Sequence, residues 1–464
     1  MTKRKLSLGL AMTLGISQAV WASGYQFDLQ SVRTQANANA NTAEASDPST
    51  IFYNPAGLAL LDGTQLTLGS SMVDPQSTFS YSVATTGGGQ TVTPGNTGGD
   101  YARQAAIPHG YVSQRFNEQV TLGVGIFVPY GAPIDYEENF VGRYYGKGID
   151  FKSLAINPSV GIRLTPHHSV GFGISAQYLD IDMETSVDIV SVAFGTCLAG
   201  GGSPEICQPL VVGYGSQPDA TASIATKDWS YGYNIGYLFT PNDNTRLGLA
   251  YRSFIKHELN GSASFDVPTS LPGGAASPIN AGIAVALADS EAQVDLATPE
   301  TLSVNAYHLL DRRWALMADV TWNRQSRLQR IDIDIATDLI PDRRIVYQTA
   351  WRNSWRASIG FSYLADENWT WRGGYMYDQT PVAHSSYALT VLPDASRQMY
   401  SLGGSYQLNE QTSIDFAYSY LKFSDAAINR TDDDHIAANG SPGTLTGSYR
   451  TYVNLFGLSL TYRF

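Results

Sequence analysis

The sequence predicts an all-β fold: a transmembrane antiparallel β-barrel of about fourteen strands, its lumen plugged by an N-terminal hatch. Three observations predict it. Apolar residues recur at every second position, with aromatic residues at the strand ends, as a wall facing lipid on one side and a lumen on the other requires. Short polar turns alternate with long loops along the chain, the pattern of periplasmic and extracellular edges. Past the N-terminal region no apolar run is long enough for a helical span.

The chain opens with Lys3, Arg4 and Lys5, then a short apolar stretch and a small residue at Ala22. This reads as a secretory signal peptide over residues 1–22. Its removal takes the formal charge from −12 to −15. So acidic a chain does not suit nucleic acid, which needs concentrated Lys and Arg. Tyr, Phe, Trp and Gly are abundant while charged residues are only 15%, which suits a bacterial outer-membrane barrel.

Residues 23–62 form the expected hatch. They alternate poorly, carry an Ala/Asn tract at 36–41, and end in IFYNPAGLALLDG, where Asn54-Pro55-Ala56 reads as a capped turn. A segment of this size has no core of its own and must lean on the inside of the barrel.

The barrel is expected over 63–464. In its last strand Phe456, Leu458, Leu460, Tyr462 and Phe464 alternate with Gly457, Ser459, Thr461 and Arg463; Ile414, Phe416, Tyr418 and Tyr420, and Ala318, Val320 and Trp322, do the same. Six short turns, near residues 117, 166, 241, 311, 365 and 409, separate seven longer segments, near 82–100, 131–150, 188–225, 258–293, 333–347, 380–396 and 424–446. In the third strand Val120, Leu122, Val124, Ile126 and Val128 face lipid and Gly123 and Gly125 face inward, followed by Pro129 and Gly131. Proline cannot donate to a neighbouring strand and glycine weakens one, so either the wall opens here or Pro129 ends the strand at the rim. Cys197 and Cys207 lie in a loop of an oxidising compartment, which predicts a disulfide rather than a metal site.

Several stretches resemble the outer-membrane long-chain fatty acid transporter (FadL) family, which includes transporters of aromatic hydrocarbons. They are SGYQF at 23–27, YNPAGL at 53–58, GIFVPYG at 125–131, NFVGRYYG at 139–146, NPSVGI at 157–162, LAYRS at 249–253 and DENWTWRGGYMYDQTPV at 366–382. The resemblance implies a fourteen-strand barrel closed by a hatch containing Asn54, Pro55 and Ala56. It further implies an interior apolar pocket touched by the N-terminus, and lateral release at a kinked strand. Tyr25 matches the aromatic that the family's N-terminus lays into the pocket; the family usually has Phe there, so the Tyr25 hydroxyl needs a partner.

No catalytic or cofactor motif is present. The expected ligands are hydrophobic small molecules, long-chain fatty acids or else uncharged hydrocarbons, with general porin and surface receptor as rival readings. Strand phase places Arg252, Arg327, Arg356 and Arg372 inward, as contacts for a carboxylate or as partners of Asp319, Asp378 or Asp415 that hold the hatch; Arg327 is the first choice for a head group. Against a fatty acid stands the acidic run Asp180, Asp182 and Glu184, unless these acids lie above the membrane. Phe140, Arg143, Tyr144 and Tyr145 suit first capture at the extracellular side, or anchoring at lipopolysaccharide. The remaining expected partners are outer-membrane lipids and the barrel-assembly machinery, met through the terminal Phe464 strand of a monomer.

Overall fold

In a computed structural model of the chain, residues 25–274, 276–337, 343–431 and 442–464 are described; the expected signal peptide lies outside them. The strands are β1 (Thr64–Thr85), β2 (Ala105–Arg115), β3 in two pieces (Val120–Phe127 and Gly131–Asp135), β4 (Gly148–Thr165), β5 (His168–Val187) and β6 (Ala220–Asn242). Four strands in two pieces follow: β7 (Thr245–Arg252 and Ile255–Asp266), β8 (Ser290–Thr298 and Thr301–Leu309), β9 (Trp314–Asn323 and Arg330–Asp334) and β10 (Arg344–Gln348 and Ser354–Leu364). The last are β11 (Trp369–Asp378), β12 (Arg397–Gln407), β13 (Thr412–Phe423 and Ala426–Arg430) and β14 (Thr444–Arg463). Each pairs antiparallel with the next, and β14 pairs with β1 from Gln65↔Arg463 upward, closing a barrel of 14 strands.

Closure of β14 on β1 removes the free edges that an open sheet would present, which a wall surrounded by hydrocarbon requires. The outward series is apolar and exposed: Leu122, Val124 and Ile126 on β3, and Phe456, Leu458 and Leu460 on β14. Strand pairing runs further into the long loops than the turn pattern suggests, because apolar inward residues continue there: Leu259 and Ala263 on β7, Ala292 and Val294 on β8. The loop between β5 and β6 folds into α1 (Ile189–Ala199) and α2 (Pro204–Val211), joined by the Cys197–Cys207 disulfide.

The inward series changes character with height. On β1 it passes from Gln65, Thr67 and Ser71 to Val73 and Phe79; on β5 from Ser175 and Gln177 to Leu179 and Ile181. On β13 it passes from Asp415 and Ser419 to Leu421 and Phe423, and on β14 from Thr461 and Ser459 to Leu455, Val453 and Tyr449. The polar lower half surrounds residues 25–62, which fold into short helical turns at Val32–Ala36, Thr42–Glu44, Thr50–Tyr53 and Pro55–Leu60. Helices this short are not stable alone and are held by the wall.

Candidate functional site: the plugged lumen and its wall breaks

The Asn-Pro-Ala turn is tied to the wall on two sides. The Asn54 Oδ1 accepts from the Ala56 amide at 3.1 Å, capping the turn that Pro55 begins, and Asn54 Nδ2 donates to the Tyr237 carbonyl of β6 at 3.2 Å. Gly171 and Gly236, paired across β5 and β6, make room for it. A Cβ on Gly236 would lie 2.0 Å from Asn54 Oδ1, and one on Gly171 2.2 Å from the Ala56 nitrogen. Elsewhere the same footprint repeats: Gly161 meets Leu58 and Gly374 meets Asn37. These inward glycines are a signal that sequence reasoning missed.

Gly123 and Gly125 belong to this footprint, which corrects their expected role. Both keep regular pairing to β2 and β4, and a Cβ on either would press on Ile51 of the hatch. The irregularity begins after Phe127. Pairing of β3 with β4 moves from Phe127↔Ala155 to Gly131↔Lys152, one extra residue on β3, and pairing with β2 ends at His109↔Phe127. Pro129 therefore sits in a kink rather than at the rim. The N-terminal segment fills the space: the Phe27 amide donates to the Pro129 carbonyl at 2.7 Å and the Gly131 amide to the Tyr25 carbonyl at 3.0 Å.

Tyr25 packs its ring against Tyr130, Phe151 and Trp351, with centroids 5.4, 5.4 and 6.0 Å away. Its hydroxyl donates to the Ala297 carbonyl of β8 at 3.3 Å, the partner that a Tyr at this position needed. Above it opens an apolar cleft lined by Phe151, Ile181, Met183, Ile224, Leu296 and Leu328.

Charge is concentrated below. Hatch Arg33 donates to both carboxylate oxygens of Asp415 at 3.0 Å, with Asp47 at 3.4 Å. From the wall, Arg372 binds Glu44 at 2.9 and 3.0 Å, and Arg356 pairs with Asp28. Arg252 instead lies over the Phe52 ring at 4.7 Å and donates to the Phe52 carbonyl at 2.8 Å. Among the described residues no carboxylate pairs with Arg252.

Two expectations are overturned. Arg327 does not face the lumen: beyond Asn323 the strand turns through a short helical segment, and the guanidinium stacks on the exposed Phe254 ring at 3.7 Å and pairs with Glu300. Phe140, Arg143 and Tyr145 are buried rather than displayed, and Tyr144 is partly buried. Phe140 stacks on Tyr136 at 3.8 Å and Arg143 pairs with Asp219 at 2.7 Å, so these residues hold the extracellular loops together. Asp180, Asp182 and Glu184 alternate with the inward Leu179, Ile181 and Met183, one step beyond the outer ring pair of Tyr178 and Trp229. They face outward, so their charge does not oppose an anion in the lumen.

A closed barrel with a lipid-facing apolar band and a plugged lumen defines an outer-membrane protein of a Gram-negative bacterium. The family described as outer membrane protein transport protein (OMPP1/FadL/TodX) matches residues 13–464, and the chain belongs to it. It is 31% identical to an outer-membrane protein of Neisseria meningitidis serogroup B, covering 100% of this chain and 98% of that one. It is 25% identical to the long-chain fatty acid transport protein of Escherichia coli K12, covering 92% and 93%. Among solved structures it is similar to a Pseudomonas aeruginosa FadL homologue, with TM-score 0.81 and 24% identity over 95% of this chain and 100% of that one. The Ralstonia pickettii toluene transporter TbuX gives TM-score 0.65 and 19% identity over 94% and 100%.

Proposed function

We propose that this protein takes up hydrophobic molecules, long-chain fatty acids first, by passive diffusion through the interior cleft, with lateral release at the β3 kink. The observation that carries the reading is the apolar cleft directly above a polar hatch, with the N-terminal Tyr25 between them and the ladder gap of β3 alongside. An apolar solute loses little on entering such a cleft, whereas a polar solute would shed water there without replacement partners. Movement of the Tyr25–Phe27 segment off Pro129 and Gly131 would open the kink towards the bilayer.

Arg252 is the residue we assign to a carboxylate head group. The other inward arginines considered for this role, Arg356 and Arg372, are already occupied by hatch acids. A charge-assisted hydrogen bond contributes about 1.5–3 kcal/mol, so Arg252→Ala should weaken oleate binding about 10- to 100-fold and leave toluene binding unchanged.

A second reading, uptake of uncharged hydrocarbons by the same route, is favoured by the near absence of polar groups in the cleft lining, where Thr226 is the exception beside Tyr25. Mass spectrometry of ligands extracted from purified protein decides between them, followed by uptake of labelled oleate and labelled toluene in cells lacking such a transporter. Oleate bound and imported supports the first reading; toluene alone supports the second. A large steady conductance in planar bilayers would overturn both in favour of a porin.

A further inference from the structure

The barrel wall is broken a second time, far from the β3 kink. Between β8 and β9 the ladder runs from Leu309↔Ala315 to Thr301↔Asn323 and resumes only at Val294↔Ile333. Residues 295–300 of β8 and 324–332 of β9 do not pair with each other, although 295–298 stay paired to β7 and 330–332 to β10. At about 3.3 Å per residue, the β8 stretch without a β9 partner spans roughly 20 Å of wall. The Arg324 amide reaches the Glu300 carbonyl at 3.0 Å at its lower edge, and the Leu328 and Gln329 backbones bond instead to β10 at Thr349 and Trp351.

Both faces of this gap are specialised. On the inside, Leu296 and Leu328 from its two sides line the same cleft that Tyr25 borders, and the Tyr25 hydroxyl donates to the Ala297 carbonyl beside the gap. Outside, Glu300 is bound by Arg324 at 2.9 Å and Arg327 at 2.8 Å, beside the exposed Phe254. This cluster follows directly on the outward Trp322 and Trp355, paired across β9 and β10, so it lies at the outer boundary of the lipid band.

We propose that the β8–β9 gap is a second lateral portal. Amphipathic molecules with one acyl chain and an anionic head, held at the head-group level of the outer leaflet just above the apolar band, would enter the cleft through it. Glu300 is a carboxylate already held by two arginines. An incoming carboxylate can join Glu300 on the two guanidiniums, reaching the half-exposed Arg324 from outside while the buried Glu300 keeps Arg327, and the acyl chain displaces Leu328. One route then serves solutes arriving from water and another those arriving from lipid. Tyr25, bonded by its backbone to the β3 kink and by its hydroxyl to β8, touches both breaks.

The proposal rests on the cleft being a binding site for hydrophobic molecules, and its test separates the two claims. The only two cysteines, Cys197 and Cys207, are bonded to each other. Ala297→Cys and Gln329→Cys therefore provide a unique pair of free thiols to join with a short bis-maleimide across the gap. Linked and unlinked protein are reconstituted in phosphatidylcholine vesicles, with correct folding checked by heat-modifiable gel mobility. Two photoactivatable probes are used: oleate with a terminal diazirine, and a single-chain anionic phospholipid, lysophosphatidylglycerol, carrying the diazirine at its acyl terminus. Expected is cleft labelling by oleate in both forms, and labelling of Tyr25, Leu296 or Leu328 by the phospholipid in the unlinked form only, at least tenfold above the linked form. Phospholipid labelling that is absent from the cleft, or that survives linking, with oleate labelling intact, overturns the portal alone. No cleft labelling by either probe overturns the portal together with the binding reading.

Discussion

The lower and upper halves of the lumen are built from the same strands with opposite chemistry. Below, Arg33–Asp415, Arg372–Glu44 and Arg356–Asp28 tie the hatch to the wall, and inward glycines bring backbone against backbone. Above, Phe151, Ile181, Leu296 and Val453 present apolar surface, with Thr226 the one polar lining residue of the cleft besides the Tyr25 hydroxyl. The difference teaches how one barrel can be sealed and yet admit grease. Directional bonds fix the plug in one geometry, while the undirected apolar surface accepts whatever fits.

The largest test of that contrast is Asp415→Asn. It removes the bidentate partner of a buried arginine and leaves Asp47 as the remaining charge. Breaking a buried pair from one side costs about 3–5 kcal/mol. The variant should expose the hatch to protease and lower the urea midpoint; equal protease resistance would mean that ion pairs do not hold the lower half. Next comes Gly236→Val, whose side chain cannot coexist with Asn54 in place. Overpacking of this kind costs about 1–3 kcal/mol, read by the same two assays. Asn54→Ala removes the cap and the bond to Tyr237, about 0.5–2 kcal/mol. If hatch movement gates uptake, this variant should change the oleate uptake rate while expression and gel mobility stay normal; an unchanged rate would count against gating.

A smaller effect is expected with pH. Burial pushes the Glu44 carboxyl up, but Arg372 beside it overrides this and holds the group at about 2, below its ordinary 4.5. A carboxyl whose folded value is lowered stabilises the folded state above its unfolded value. The contribution is therefore intact above about pH 4.5 and fades as pH falls towards about 2. Hatch protection titrated from pH 7 to pH 3 should weaken below about 4.5, and Glu44→Gln should flatten that part of the curve. The smallest change is expected from Ile181→Ala in the upper half. It should alter oleate occupancy while hatch protection stays as in the parent, because no directional bond to the plug is lost.

Period-two alternation determined much by itself. Lipid-facing sets such as Leu122, Val124 and Ile126, the six turns and the number of strands all follow from local pattern, because a wall between lipid and lumen imposes its chemistry residue by residue. The disulfide between Cys197 and Cys207 was legible for the same local reason. Inward placement of Arg252, Arg356 and Arg372 was legible too, but which of them meets a hatch acid was not. That choice depends on a segment more than 300 residues away in the chain for Arg372 and Arg356.

Strand phase also failed where the strand stops being a strand. Arg327 leaves the lumen because the ladder breaks after Asn323, and a phase extended across a bulge or a helical turn assigns the wrong face. Phe140, Arg143 and Tyr145 read as a display surface because aromatic and basic residues in a loop look alike whether they are shown or packed. The glycines of β4, β5, β6 and β11 took their meaning only from the hatch that presses on them. Tertiary structure alone decided these features, since each is a contact between distant segments and no residue carries its partner's position in its own side chain.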